Sequence, residues 1–295
     1  MPGGRSLIWL ARLDDAVGRW AKGVVDRFYT TAGPVQSGAG QLIRTDREIS
    51  LDVEAAPRQA ALASRVERYG LVPPDISSVP LLNDLISVSP ANADDTTLLA
   101  RLHGLNQTYG PYDAEMTEAR YIRAGTRVGG ISIGGKVVDD GQQIGRFKIS
   151  AFVQADGHLE GHIGQLYIDR SSSRRSGFGT VFLDSIESYF RRSGAKSVYV
   201  QGAPPDGGKF FAGAGYGWDP DPGHMKNSIA RIRESESDLR QVSQPDQALV
   251  TSVLQRFNGP EDQYPSPQEI VNLAGDDSQL GRHLMKNGAF FRKDL

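Results

Sequence analysis

Leu159-Glu160-Gly161-His162-Ile163-Gly164-Gln165-Leu166-Tyr167-Ile168 is followed within a few residues by Arg174-Arg175-Ser176-Gly177-Phe178-Gly179-Thr180. The first segment reads as a strand. Beyond the second, apolar residues recur at Phe178, Val181, Phe182, Ile186, Tyr189 and Phe190, with Thr180, Asp184, Glu187 and Arg191 on the other side. That spacing predicts a helix, and Gly194 predicts its stop. A strand, an Arg/Gly turn and a helix in this order present unpaired backbone N–H groups to an anion. Glycines at 177 and 179 let the main chain approach a phosphate with no Cβ in the way.

Strand patterns run upstream of this stretch from Arg127. Val128 to Val138 is one, closed by the turn residues Asp139-Asp140-Gly141. Ile144 to Gln154 is the next, with Phe147, Ile149, Ala151 and Val153 on one face and Arg146, Lys148 and Ser150 on the other. Asp156-Gly157 then signals a second hairpin. Downstream, Ser197 to Gln201 reads as a strand after a crossover helix, so it is expected parallel to Leu159–Ile168.

The flanks are different in character. Leu10, Leu13, Val17, Trp20, Val24 and Phe28 step by three and four, predicting an amphipathic helix. Ala32 to Gly40 reads as a loop, Leu42 to Val53 as a possible strand, and Arg58 to Tyr69 as a helix ending at Gly70. Asp94 or Asp95 is expected to cap a helix running to about Leu105. After Trp218 helical patterns return around Ile229–Val242 and Leu249–Phe257, and Ser266-Pro267-Gln268-Glu269 has capping-box spacing. The expected organisation is a mainly helical or irregular region over 1–115, a core over 116–220 and a helical extension over 221–295. Ala289 to Lys293 is either a delayed last strand of the core or a packed tail.

Composition narrows the function. The 295 residues carry a net charge of −2, so bulk electrostatics argue for neither a nucleic acid nor a membrane partner. There is no cysteine, which excludes disulfides, thiolate zinc sites and a cysteine nucleophile. The apolar stretch Leu7–Phe28 contains Arg12, Asp14, Asp15 and Arg19, too much charge for a secretory or membrane segment. A soluble cytoplasmic protein is expected.

The antiparallel strands, the Arg-x-x-Gly-x-Gly turn, its helix, the parallel strand and Gly208-Lys209-Phe210-Phe211-Ala212-Gly213-Ala214-Gly215-Tyr216 together resemble the core of the GNAT acyltransferase superfamily. The resemblance spans roughly Arg120 to Trp218. It implies an α/β fold: a mixed sheet of antiparallel strands followed by a parallel pair splayed around an acyl-CoA site, with extra helical segments at both ends. It also implies acetyl-CoA or another acyl-CoA as co-substrate, no metal, and transfer of the acyl group to an amine of a small molecule, peptide or protein. By the same resemblance Arg174, Gly177 and Gly179 occupy the defining positions of the pyrophosphate turn. Backbone N–H groups from Arg175 through Ser176, Gly177, Phe178 and Gly179 to Thr180 would hold the pyrophosphate, with Leu166, Tyr167 and Ile168 along the pantetheine arm. A Rossmann dinucleotide site is disfavoured, since its third glycine falls on Phe182 and Gly202-Ala203 stand where an acidic residue is needed. A Walker loop lacks its Gly-Lys-Ser/Thr.

Acyl transfer to an amine needs a base for the amine proton and donors for the oxyanion. Glu160, His162, Gly164, Leu166 and Ile168 share one face of their strand if no bulge intervenes. The family often places its base on this strand, and six residues before Ile168 stands His162, whose imidazole suits the role. Glu160 is the alternative if burial raises its pKa. Phe211, which the resemblance puts at the cofactor, stands where the family usually has a tyrosine acid and cannot protonate a thiolate. Tyr216 or Tyr167 are candidate substitutes. That departure keeps open a non-catalytic acyl-CoA-binding module or a protein-interaction protein on the same scaffold.

Overall fold

Two short helices lead into the sheet: α1 (Leu82–Ser87) and α2 (Asp95–Arg101). Asp94 caps α2 by accepting from the Thr97 N–H at 3.0 Å. The computed structural model describes residues 67–295 apart from 68, 88–93, 125–126, 170–176, 202–204, 237–238, 240–241, 276 and 278, all within one compact unit, Ala61–Leu295. The elements expected over Leu10–Phe28, Leu42–Val53 and most of Arg58–Tyr69 lie outside the described residues, as do Arg174, Arg175 and Ser176.

Five strands follow in meander order: β1 (Gln107–Tyr109), β2 (Tyr112–Ala124), β3 (Arg127–Asp139), β4 (Gln142–Val153) and β5 (Leu159–Ile168), each antiparallel to its neighbour. Helix α3 (Phe178–Arg192) crosses over so that β6 (Ala195–Gln201) lies parallel to β5. Then come α4 (Pro205–Gly213), β7 (Gly217–Trp218), α5 (Pro222–Glu236), α6 (Gln244–Gln255), α7 (Pro267–Val271), α8 (Leu280–Leu284) and β8 (Phe290–Asp294). The result is an eight-stranded mixed sheet in the order β1-β2-β3-β4-β5-β6-β8-β7.

The sheet begins earlier than the strand pattern from Arg127 indicated. β2 hides its alternation behind a register shift between Met116 and Glu118. Tyr112, Ala114 and Met116 are buried before it and Ala119 after it, so the apolar phase slips by one residue. At the other end β8 pairs antiparallel with β6 from Ser197–Asp294 to Gln201–Phe290, and β7 pairs with β8. The sheet therefore draws strands from both sides of the 116–220 stretch.

Helix α3 covers one face. Its apolar stripe, Phe178, Val181, Phe182, Ile186, Tyr189 and Phe190, is buried throughout. It packs closely because β5 has a glycine beneath it: a Cβ on Gly161 would sit 2.6 Å from the Phe190 ring. Phe182 meets Phe147 of β4 at 5.0 Å, and Phe178 meets Tyr109 and Tyr112 at 5.4 and 5.3 Å. The Tyr189 hydroxyl donates to the Pro80 carbonyl at 2.8 Å, fastening the chain before α1 to the far end of α3. Helix α5 lies on the opposite face, where its Ser228 hydroxyl accepts from the Phe290 N–H at 3.0 Å.

Consecutive residues of β8 point to opposite faces, so Phe290 goes under α5 and Phe291 into the α3 side, against Phe211 and Trp218. Both are buried, and cover on each side lets a five-residue terminal strand be apolar on both faces. Phe291→Ala is expected to cost about 3–5 kcal/mol in urea denaturation, the scale for an emptied aromatic core position. A loss under about 1 kcal/mol would mean that β8 is not integral to the sheet.

Candidate functional site

β5 pairs with β6 only along its first half, because β6 ends at Gln201 while β5 runs on. The parallel register runs from Leu159–Ala195 to Ile163–Val200 and stops there, while β5 continues beside β4 to Ile168. At the point of parting β5 carries a bulge: Ile149 faces Ile163 and Lys148 faces Gln165, so Gly164 has no partner residue in either register. A bulge turns the following side chains over. This corrects the expectation of one shared face. Glu160 and His162 lie on the α5 side, whereas Leu166 follows Phe147 to the α3 side, with Ile168 two residues on.

Beyond the parting strand comes the first turn of α3. Gly177 is its N-cap, with φ +96°, a left-handed conformation that favours glycine; having no side chain, it supplies no side-chain cap of its own. Phe210 of α4 lies against this turn. A Cβ on Gly179 would meet its ring at 3.5 Å, an ordinary contact. Thr180 donates its N–H back to the Gly177 carbonyl at 3.1 Å.

Glu160 and His162 form a dyad. The imidazole Nε2 lies 3.0 Å from Glu160 Oε1. Gln154 donates to the same oxygen at 3.2 Å; Ser197 and Arg292 reach Oε2, each at 3.3 Å. His162 first, then Arg292 and Ser197, hold the Glu160 carboxyl below the usual glutamate range despite its burial. The condition attached to Glu160 as the base, a pKa raised by burial, is not met, because its partners favour the carboxylate. A carboxylate only accepts, so His162 presents Nε2–H to it and keeps the Nδ1 lone pair for another partner. The imidazole is wedged between the edge of Phe152 at 4.7 Å and the Tyr199 ring at 4.8 Å. Its side chain is 30% exposed.

The ring row continues past the strand. Tyr199 lies 5.3 Å from His224 on α5, and His224 stacks on Phe290 at 4.7 Å. His224 Nδ1 sits 2.6 Å from Asp219 Oδ2. Burial, followed by the Asp219 and Glu160 carboxylates, pushes the Tyr199 phenol up to about 12. Sequence reasoning missed Tyr199, Ser197, Asp219, His224 and Arg292. Only the register that sets Tyr199 beside His162 and Arg292 beside Tyr199 brings them together.

Three of the sequence candidates go elsewhere. Tyr216 is fully buried on the α3 side, where its hydroxyl donates to Glu187 Oε1 at 3.0 Å. Burial and that carboxylate drive its pKa far upward, and it has no contact with the dyad. Phe211 is 6% exposed, packed among Phe210, Tyr216 and Phe291. Tyr167 is at the surface with the Arg146 guanidinium 5.8 Å from its ring centroid. Among the described residues no group of three His, Asp or Glu side chains is disposed to hold a metal ion, and no helix is long and apolar enough to cross a membrane.

No family model matches the chain, and no curated protein matches it. Among solved structures it is similar to Arabidopsis thaliana Naa50 in complex with the bisubstrate analogue CoA-Ac-MVNAL. The two share 16% identity over 28% of this chain and 56% of that one, with a TM-score of 0.25. The match therefore spans little more than half of the Naa50 chain.

The lowered Glu160 pKa has a definite sign. The cluster contributes stability above the ordinary glutamate value of 4.5, and the contribution fades as pH falls through the lower folded value. Glu160→Gln is expected to be less stable than wild type at neutral pH, with the gap closing on acidification below about pH 4.5. Urea titrations across that range measure the gap; one that does not change with pH would contradict a charged Glu160.

Proposed function

We propose that this protein is an acyl-CoA-dependent N-acyltransferase, with acetyl-CoA or another acyl-CoA as donor and an amine of a small molecule, peptide or protein as acceptor. The end of the β5–β6 pairing at a bulge, followed by a helix that starts at a left-handed glycine, carries the reading. Beyond Ile163 β5 pairs with β4 and no longer with β6, and an amide-bearing arm such as pantetheine would add like a strand near Leu166, with Tyr167 and Ile168 next along the chain. The helix start would turn the N–H groups of Gly177, Phe178 and Gly179 to the pyrophosphate, with Arg174, Arg175 and Ser176 just ahead of them in sequence; the Thr180 N–H is already held by the Gly177 carbonyl.

In this reading the thioester carbonyl lies at the bulge, where the Gly164 N–H stabilises the oxyanion of the tetrahedral intermediate. His162 stands two residues before the bulge, and its Nδ1 takes the amine proton. Glu160 is a positioning residue that fixes the imidazole tautomer. As the intermediate collapses the C–S bond breaks, and His162 returns its proton to the departing thiolate, already a fair leaving group. Phe211 and Tyr216, packed in the core, take no part. Their burial favours the second reading, a non-catalytic acyl-CoA-binding module, which the same experiments separate.

Isothermal titration with acetyl-CoA is expected to show one site. Gly179→Val is expected to keep the melting temperature, because Phe210 leaves room for a Cβ, while weakening binding tenfold or more. His162→Gln is expected to leave affinity unchanged and lower turnover about a hundredfold, the scale of a lost general base. Binding without turnover in wild type selects the non-catalytic module. No binding at millimolar acetyl-CoA refutes both.

A further inference from the structure

The acyltransferase reading employs one imidazole of the ring row and leaves a second unused. His224 stands on the first turn of α5 with its side chain 39% exposed, and Tyr199 separates it from His162. Its orientation is as closely fixed as that of His162. Nδ1 is bound to Asp219 Oδ2 at 2.6 Å, the ring is stacked at 9° on Phe290, and its own N–H is held by Asp221 Oδ1 at 3.0 Å. Asp219 is 5% exposed and accepts at Oδ2, so His224 carries its proton on Nδ1 and keeps the Nε2 lone pair. Among the described residues the charged groups facing it are Asp219 and Asp221 before α5 and Arg231 within it, whose guanidinium lies 4.8 Å from the Phe290 ring centroid. Across Tyr199 stand Glu160 and Arg292. Carboxylates outnumber cations in this set, which favours an approaching ammonium.

Amide formation from an amine raises a demand for a second base. At neutral pH an alkylamine is an ammonium, and conversion to an amide removes two N–H protons. One must leave before attack, because a protonated nitrogen has no lone pair. The other leaves after the C–N bond has formed. A single imidazole that holds the second proton for the thiolate does not also clear the first.

We propose that His224 is a second catalytic base, which deprotonates the incoming ammonium before His162 acts. The inference rests on the acyltransferase reading above. His224 Nε2 takes the first proton and releases it to solvent through its exposed edge. The neutral amine attacks the thioester carbon at the bulge. His162 Nδ1 takes the second proton and delivers it to the coenzyme A thiolate as the C–S bond breaks. The products are amide, free thiol and one proton in solvent. The acceptor therefore approaches on the α5 face of the sheet, over Tyr199, and is an alkylamine that is charged in solution.

The test uses the full chain, acetyl-CoA and two small nucleophiles: methylamine, an ammonium at neutral pH, and hydroxylamine, which is largely uncharged there. With methylamine, His224→Gln is expected to lower kcat/KM at least tenfold at neutral pH, with the loss shrinking as pH rises toward the amine's own pKa. With hydroxylamine the same variant is expected to match wild type, which also shows that it is folded. His162→Gln is expected to fail with both. Equal losses with the two nucleophiles, or no loss with either, would overturn the role of His224 while leaving acyl transfer standing. Wild-type protein that binds no acetyl-CoA, or transfers acetyl to neither nucleophile, would overturn acyl transfer and the second base together.

Discussion

Parallel pairing between β5 and β6 stops after Ile163–Val200, and the arrangement of the whole site follows from that stop. Two strands in register satisfy each other's backbone groups; two that diverge leave an edge on which another extended, amide-bearing chain can pair. The bulge at Gly164 turns the end of β5 over and separates the work of its two halves. The half before it keeps Glu160 and His162 on the α5 face, while the half after it sends Leu166 toward α3. The close approach of Gly161 to Phe190 and the burial of Phe178 hold α3 against the sheet.

Charge on the α5 face is arranged in advance. Glu160 sits among four donors and is 14% exposed, so its carboxylate is held in place by the fold. The aromatic neighbours add rigidity, since Phe152, His162, Tyr199, His224 and Phe290 form one continuous row of ring contacts. The α3 side is largely apolar and carries the buried Glu187–Tyr216–Lys293 cluster, in which Lys293 Nζ lies 2.7 Å from Glu187 Oε2.

Local pattern alone placed β5, α3, the parallel β6 and the caps at Asp94 and Ser266, because each depends on neighbours within a few residues. β2 escaped because its bulge breaks the period on which a strand is read. The opposed faces of His162 and Leu166 escaped for the same reason: a bulge is set by the partner strand's register, and nothing in Ile163-Gly164-Gln165 announces it.

The sequence by itself determined that His162 and Glu160 are titratable side chains of β5, and that a glycine-bearing turn leads into an amphipathic helix. Only the tertiary structure decided that Glu160 is a held carboxylate, because its partners Ser197 and Arg292 lie 37 and 132 residues further along the chain and meet it through strand pairing. It likewise decided that Tyr216 is a core residue and that His224 belongs to the face of His162. Hydrogen bonds and ring contacts between distant strands are products of register and burial, which local propensity does not contain.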